Sequence, residues 1–320
     1  MLLVLFSLLS LPGAVIGTLN AAAVLYPVVV NDRWGFMDKG GKLVIPAQFE
    51  RAGSFSDGLA EVRLGRWGYV DASGKILINP QFDRASAFSD GLAAVEFGGH
   101  WGYVDTGGKY VINPQFDDAG PFSEGRAMIK TKRRFGYIDK TGATVVNPQF
   151  EEAADFSDGL AAVEMAGRYG YIDNNGKFVV NPQFERAGPF ADGLAVVRLS
   201  RHWGFIDKTG KIVINPQFED ARAFSKGLAP VRLGGSWGFT DNSGKLVINP
   251  QFEEAMPFKE DMAHVRLGRR WGYIDRNGKF VINPQFDEAA PFESGLARVK
   301  LSRRTGYIDH SGHYVWNPAN

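Results

Sequence analysis

Ser236 lies in Gly234-Gly235-Ser236-Trp237-Gly238, a match to the Gly-x-Ser-x-Gly pattern that presents a nucleophilic serine for acyl transfer. That chemistry needs a strained strand-to-helix elbow beneath the hydroxyl. Here the flanks read as two strands, and the same slot recurs as Arg66, His100, Arg134, Arg168, His202, Arg270 and Arg304, so Ser236 is a turn residue. Gly68 and Gly74-Lys75 outline a phosphate loop, but five residues intervene instead of four, and Ile76 replaces the magnesium-binding hydroxyl. The repeated Asp-x-x-Gly at Asp71, Asp173, Asp207 and Asp275 carries a fragment of a calcium loop without its remaining ligands. An Asp side chain closing its own turn explains it more simply. Among five histidines only His310 and His313 have a metal-like spacing, and no third ligand is near in sequence. The absence of Cys excludes thiolate chemistry and disulfides. No catalytic residue, metal site or cofactor is expected.

The elements that position these residues are copies of one unit. A Trp-Gly pair or its degenerate form falls at Trp34, Trp67, Trp101, Phe135, Tyr169, Trp203, Trp237, Trp271 and Thr305, spaced by 33 residues once and by 34 thereafter. Asn-Pro-Gln-Phe recurs in phase from Asn79 to Asn283, and Phe-Ser-x-Gly-Leu-Ala begins at Phe55, Phe88, Phe156 and Phe224. A strict period of this length means an array in which each unit buries its face on its neighbours. Within a unit, Leu92–Phe97 alternates as a strand and Trp101–Asp105 places both aromatics on one face. The run Lys109–Ile112, apolar on consecutive positions, predicts a strand buried on both faces. Gln115–Phe122 reads as a connector with room for one helical turn. Nine three-stranded units follow, all-β, with Trp34, Trp67, Trp101, Trp203, Trp237 and Trp271 as a structural core. An open superhelical solenoid is the expected architecture, with a closed propeller-like ring as the alternative.

The phrase Trp-Gly-Tyr-Ile-Asp-x-x-Gly-Lys-x-Val-Ile-Asn-Pro-Gln-Phe, at Trp271–Phe286, resembles the bacterial WG-repeat family. The resemblance runs from Trp34 to Pro318. It implies an all-β repeat domain of envelope or secreted proteins that is not an enzyme, and it carries over no catalytic residues. Residues 1–23 stand apart: no charged side chain occurs before Asp32, and Leu2–Leu19 is nearly all apolar. They read as a signal peptide or a membrane anchor ahead of a repeat domain over 24–320, placing the array in the cell envelope or outside the cell.

What varies between units points to a binding surface. The slot between the constant Ala and Val of the first strand is Glu61, Ala94, Met128, Ala162, Val196, Pro230, His264 and Arg298. Two residues on, the same face carries Arg198, Arg232, Arg266 and Lys300 in the C-terminal half. His264, Arg298 and these four cations are the candidate ligand-binding residues. An acidic row after each Gln-Phe, such as Asp83, Asp117, Glu151 and Glu185, is expected to lie separately and leave a local basic stripe. The totals, 36 Lys+Arg against 35 Asp+Glu, lack the basic excess of a nucleic-acid binder. A protein or an anionic cell-wall polymer fits better, with membrane contact only through the N-terminal segment. The expected role is non-enzymatic binding. A carbohydrate-active enzyme with carboxylates from different repeats, or a spacer without a ligand, are the alternatives.

Overall fold

The computed structural model describes residues 24–317, so the expected export or anchor segment lies outside the described residues. The first sheet holds β1 (Tyr26–Val30), β2 (Arg33–Met37) and β3 (Leu43–Phe49). The second holds β4 (Arg51–Ala52), β5 (Leu59–Leu64), β6 (Arg66–Asp71) and β7 (Ile76–Phe82), paired antiparallel in chain order. Seven more four-stranded sheets repeat this order, the last running from Glu288 to Trp316.

The fourth strand is the segment read from sequence as a connector. Asp118–Ser123 pairs with Arg126–Thr131, although in most units this strand is only two residues long. Its turn needs two consecutive left-handed residues, as at Asp90 (φ 55°) and Gly91 (φ 83°), the geometry that closes a tight hairpin with the right twist. That requirement explains the Gly of the Phe-Ser-x-Gly word.

The sheets are blades of a closed nine-bladed propeller, not turns of an open solenoid. Equivalent residues of adjacent blades touch one another at the Ser-Asp-Gly turns. Asp57 accepts the Gly91 N–H at 2.8 Å and Asp90 accepts that of Gly125 at 3.1 Å, while Ser56 and Ser89 each donate to the next blade's Phe carbonyl at 2.6 Å. In a ring, equivalent positions come this close only beside the axis, so the short strand is innermost and the Asn-Pro-Gln-Phe strand outermost. Closure is direct: Tyr307 of the last blade donates to the Pro27 carbonyl of the first at 2.8 Å. Tyr26, Val28 and Met37 pack with Leu296 and Tyr307 in one core. The 34-residue period fixes how a unit meets its neighbour, and both architectures share that contact. What closes the ring is residues outside the repeat pattern.

Each seam between blades is a core. Leu59, Tyr69, Ile78 and Phe82 of the second blade face Phe88, Ala93 and Val95 of the third. Tyr69 meets Phe88 edge to face with centroids 4.8 Å apart and donates its hydroxyl to the Ser86 carbonyl at 2.8 Å. Burying such a ring contributes about 1.5–3 kcal/mol. The Gly after each Trp has the close-approach role expected: a Cβ at Gly102 would overlap the Ile112 carbonyl and the Pro114 nitrogen. The third strand of each expected unit, by contrast, is the outer edge and not buried on both faces; Val111 is 42% exposed and Val213 41%. The Pro of Asn-Pro-Gln-Phe sits on this edge, where its missing N–H costs nothing inside the blade and discourages edge-to-edge pairing.

Candidate functional site

The face bearing the turn between the second and third strands of each blade carries the charged slots. Arg198, Arg232 and Arg266 do not form a free basic stripe. Each lies against the acidic residue after the preceding Gln-Phe: Arg198 with Glu185 at 3.5 Å, Arg232 with Glu219 at 3.8 Å, Arg266 with Glu253 at 3.4 Å. Lys300 pairs with Glu288 at 2.8 Å. The two rows expected to be separate interleave, because the acidic residue starts the inner strand and that strand pairs with the one bearing the cation. Glu185, for instance, donates its N–H to the Arg198 carbonyl at 2.9 Å. Exposed pairs of this kind are worth at most about 1 kcal/mol.

The variable slot faces the next blade. Ala94, Ala162, Val196, Pro230 and His264 are buried there, so no ligand stripe runs the length of the array. His264 packs against Trp271 and Tyr273, and burial, reinforced by the nearby Arg222, lowers its pKa to about 4. It is a neutral core residue at pH 7. Glu61 folds over Gly53, and burial raises its carboxyl to about 7. Of the expected repeat core, Trp237 is buried, whereas Trp34, Trp67, Trp101, Trp203 and Trp271 lie half-buried at the margins of the seams. Arg222, not singled out in the sequence, stacks on Trp237 at 4.4 Å and pairs with Glu254 at 2.8 Å. Its signal was available: sister repeats carry Gly53, Ser86 or Ala154 at that slot.

Arg298 is the exception in the variable slot, because the next blade around the ring is the first, where the pattern breaks. Among the described residues the first blade has three strands, and no inner strand pairs with β1. Two cavities of about 540 and 280 Å³ lie along that inner edge; the larger reaches the inner strands of both the last and second blades, and the smaller lies against the last blade. Pro27, Trp34, Ala290 and Arg298 line both. Of the five charged side chains in this groove, four are engaged. Glu288 pairs with Lys300 at 2.8 Å, Glu293 with Lys259 at 2.8 Å, and Asp57 holds the Gly91 amide. Arg298 alone is exposed without a hydrogen bond or ion pair. Among the described residues no cluster of three metal-ligating side chains forms.

A nine-bladed ring with a groove at its closing seam belongs to the class of repeat propellers. The chain belongs to the family of the WG containing repeat, whose model matches eight tandem copies at residues 34–66, 67–99, 101–132, 135–169, 169–200, 203–237, 237–270 and 271–302. The fold resembles the crystal structure of the eukaryotic initiation factor, with a TM-score of 0.66 at 12% identity over 91% of this chain and 95% of that one. Hsv2p of Kluyveromyces lactis matches with a TM-score of 0.46 at 11% identity over 71% of this chain and 92% of that one. The first of these likenesses concerns the fold alone. No relative was found among curated proteins.

Proposed function

We propose that the protein is a non-catalytic binding module of the cell envelope or exterior, and that its partner engages the groove at the closing seam. The groove carries the reading: it is the one place among the described residues where a candidate binding side chain, Arg298, meets a cavity and lacks a partner. The other candidate cations, Lys300 of the groove among them, are occupied by Glu185, Glu219, Glu253 and Glu288. The uncharged, largely apolar segment before residue 24 supports export or anchoring, and a Cys-free chain suits either location. Repeat propellers expose long surfaces on a rigid frame, which favours binding over chemistry.

The test places a photoreactive side chain at Val29, in the groove, and separately at Lys211, on an outer turn. In intact cells the Val29 position should crosslink an envelope or exterior component and the Lys211 position should not. Identical adducts from both positions, or none from Val29, would sink this assignment.

A further inference from the structure

We propose that the groove takes an extended peptide from a partner protein as the inner strand that the first blade lacks among the described residues, with a carboxylate of that peptide on Arg298. This rests on the binding role proposed above and names its ligand class. In the complete blades, the second strand offers its backbone to the inner one at fixed positions: Glu50 donates to the Arg63 carbonyl and Gly53 to the Glu61 carbonyl, both at 2.9 Å. Leu59 and Ser56 exchange bonds at 2.9 and 3.1 Å. Aligning Gly35 with Gly102, and so Val28 with Val95, puts Leu25, Pro27 and Val29 at these positions in the first blade. Residues two apart on a strand aim N–H and C=O to the same side, so their groups point into the groove. Pro27 is no obstacle. Pro230 holds the same slot in a complete blade and still accepts the Arg222 N–H at 3.0 Å.

Two features of the described residues favour a strand supplied by a partner. Every complete blade joins its inner and second strands through two left-handed residues, from Asp57-Gly58 to Ser294-Gly295. Val24 holds the second of these two positions in the first blade, and a β-branched Val resists positive φ. The seam is also filled without an inner strand. Phe122 pairs with Ala127 and packs on Tyr103 at 4.9 Å in a complete blade. In the first blade the Ala slot is Tyr26, whose ring packs on Tyr307 at 5.8 Å and whose hydroxyl donates to the Ser294 carbonyl at 2.7 Å. The core is thus closed while the backbone edge has no partner strand among the described residues. Strand addition to such an edge takes affinity from main-chain bonds and specificity from alternate side chains. Arg298, the one charge of the groove without a partner among the described residues, calls for a carboxylate.

The test selects a random heptapeptide display library on the purified full chain. Enriched peptides should alternate apolar residues with at least one Asp or Glu. N-methylating alternate backbone amides of an enriched peptide should abolish binding, and Arg298→Glu should weaken it at least about tenfold. Val29→Pro, which removes an edge N–H, should do the same; should that variant misfold, the N-methyl and Arg298→Glu arms decide alone. No enrichment, or binding indifferent to both arms, overturns the proposal. So does full protection of the Val29 amide from exchange in the peptide-free chain, which would assign the edge to residues before 24. Crosslinking at Val29 without N-methyl sensitivity leaves the binding role standing and removes only the strand.

Discussion

The seam between the second and third blades and the seam between the last and first perform the same mechanical task with different parts. The first uses Phe88, from the segment just after its blade's two-residue inner strand, to cover Tyr69, with Ala93 kept small beside it. The second does without that Phe and enlarges the Ala slot to Tyr26. One solution spends the inner edge on packing; the other, among the described residues, leaves it facing a groove. Regularity therefore builds the ring, and the departure from it at the closing seam builds the candidate site.

The largest expected effect comes from removing one side of the closing seam. A chain ending after Phe286 loses the last blade and with it Leu296 and Tyr307. An open array would tolerate this; a closed ring should lose its cooperative melt by circular dichroism and expose a seam that aggregates. Retention of a monomeric, unchanged transition would return the solenoid to favour.

Next come the paired aromatics. Phe122→Ala should cost about 3–5 kcal/mol in denaturant unfolding, as deletion of a buried ring does. Ala93→Tyr, which copies the closing seam into a regular one, should also destabilise, by about 1–3 kcal/mol, because Phe88 already fills the space. Tyr26→Phe keeps the ring and loses only the bond to Ser294, a loss of about 1 kcal/mol. If Ala93→Tyr is neutral, the exchange of Phe for Tyr between seams is not what closes the ring.

Much of this frame was legible in the residues. The three words in phase gave the all-β repeat, and the close approach at the Trp-Gly glycine followed from its place between aromatics. The inner strand was missed because a two-residue ladder has no periodicity, only a turn signal. The exposed outer strand was misread because consecutive apolar residues mark burial only when both faces are covered, and Val111 has one open face. The basic stripe failed for a different reason: positions along one strand cannot show that Glu219 on a neighbouring strand reaches Arg232. Arg298 was visible in the variable slot, but its openness depends on ring closure, which no local pattern encodes.

Glu61 gives a smaller, pH-dependent contrast. Burial raises its carboxyl from 4.5 to about 7, so folding opposes ionisation. The fold is unaffected below pH 4.5, loses stability as pH rises from there to 7, and carries the full penalty above it, up to about 3 kcal/mol. Glu61→Gln should therefore raise the melting temperature at pH 8 and leave it unchanged at pH 4; an equal shift at both would assign the gain to something other than charge. The smallest effect is expected at the face. Arg232→Ala breaks a half-exposed pair with Glu219 and should change stability by less than about 1 kcal/mol, fading with salt.

Amide hydrogen exchange at Val29 tests the open edge most directly. Val29 faces the groove as the fourth of the five residues of β1, beside the hairpin that joins β1 to β2, and Val28, turned toward β2, serves as its neighbour control. Arg198 is its counterpart in a complete blade, where Arg186 of the inner strand lies opposite. In the free full-length chain the Val29 amide should exchange near its intrinsic rate while Val28 and Arg198 exchange only with global opening. Equal protection of Val29 and Arg198 would mean that a strand already covers the edge, and the account of the closing seam as an open site would be wrong.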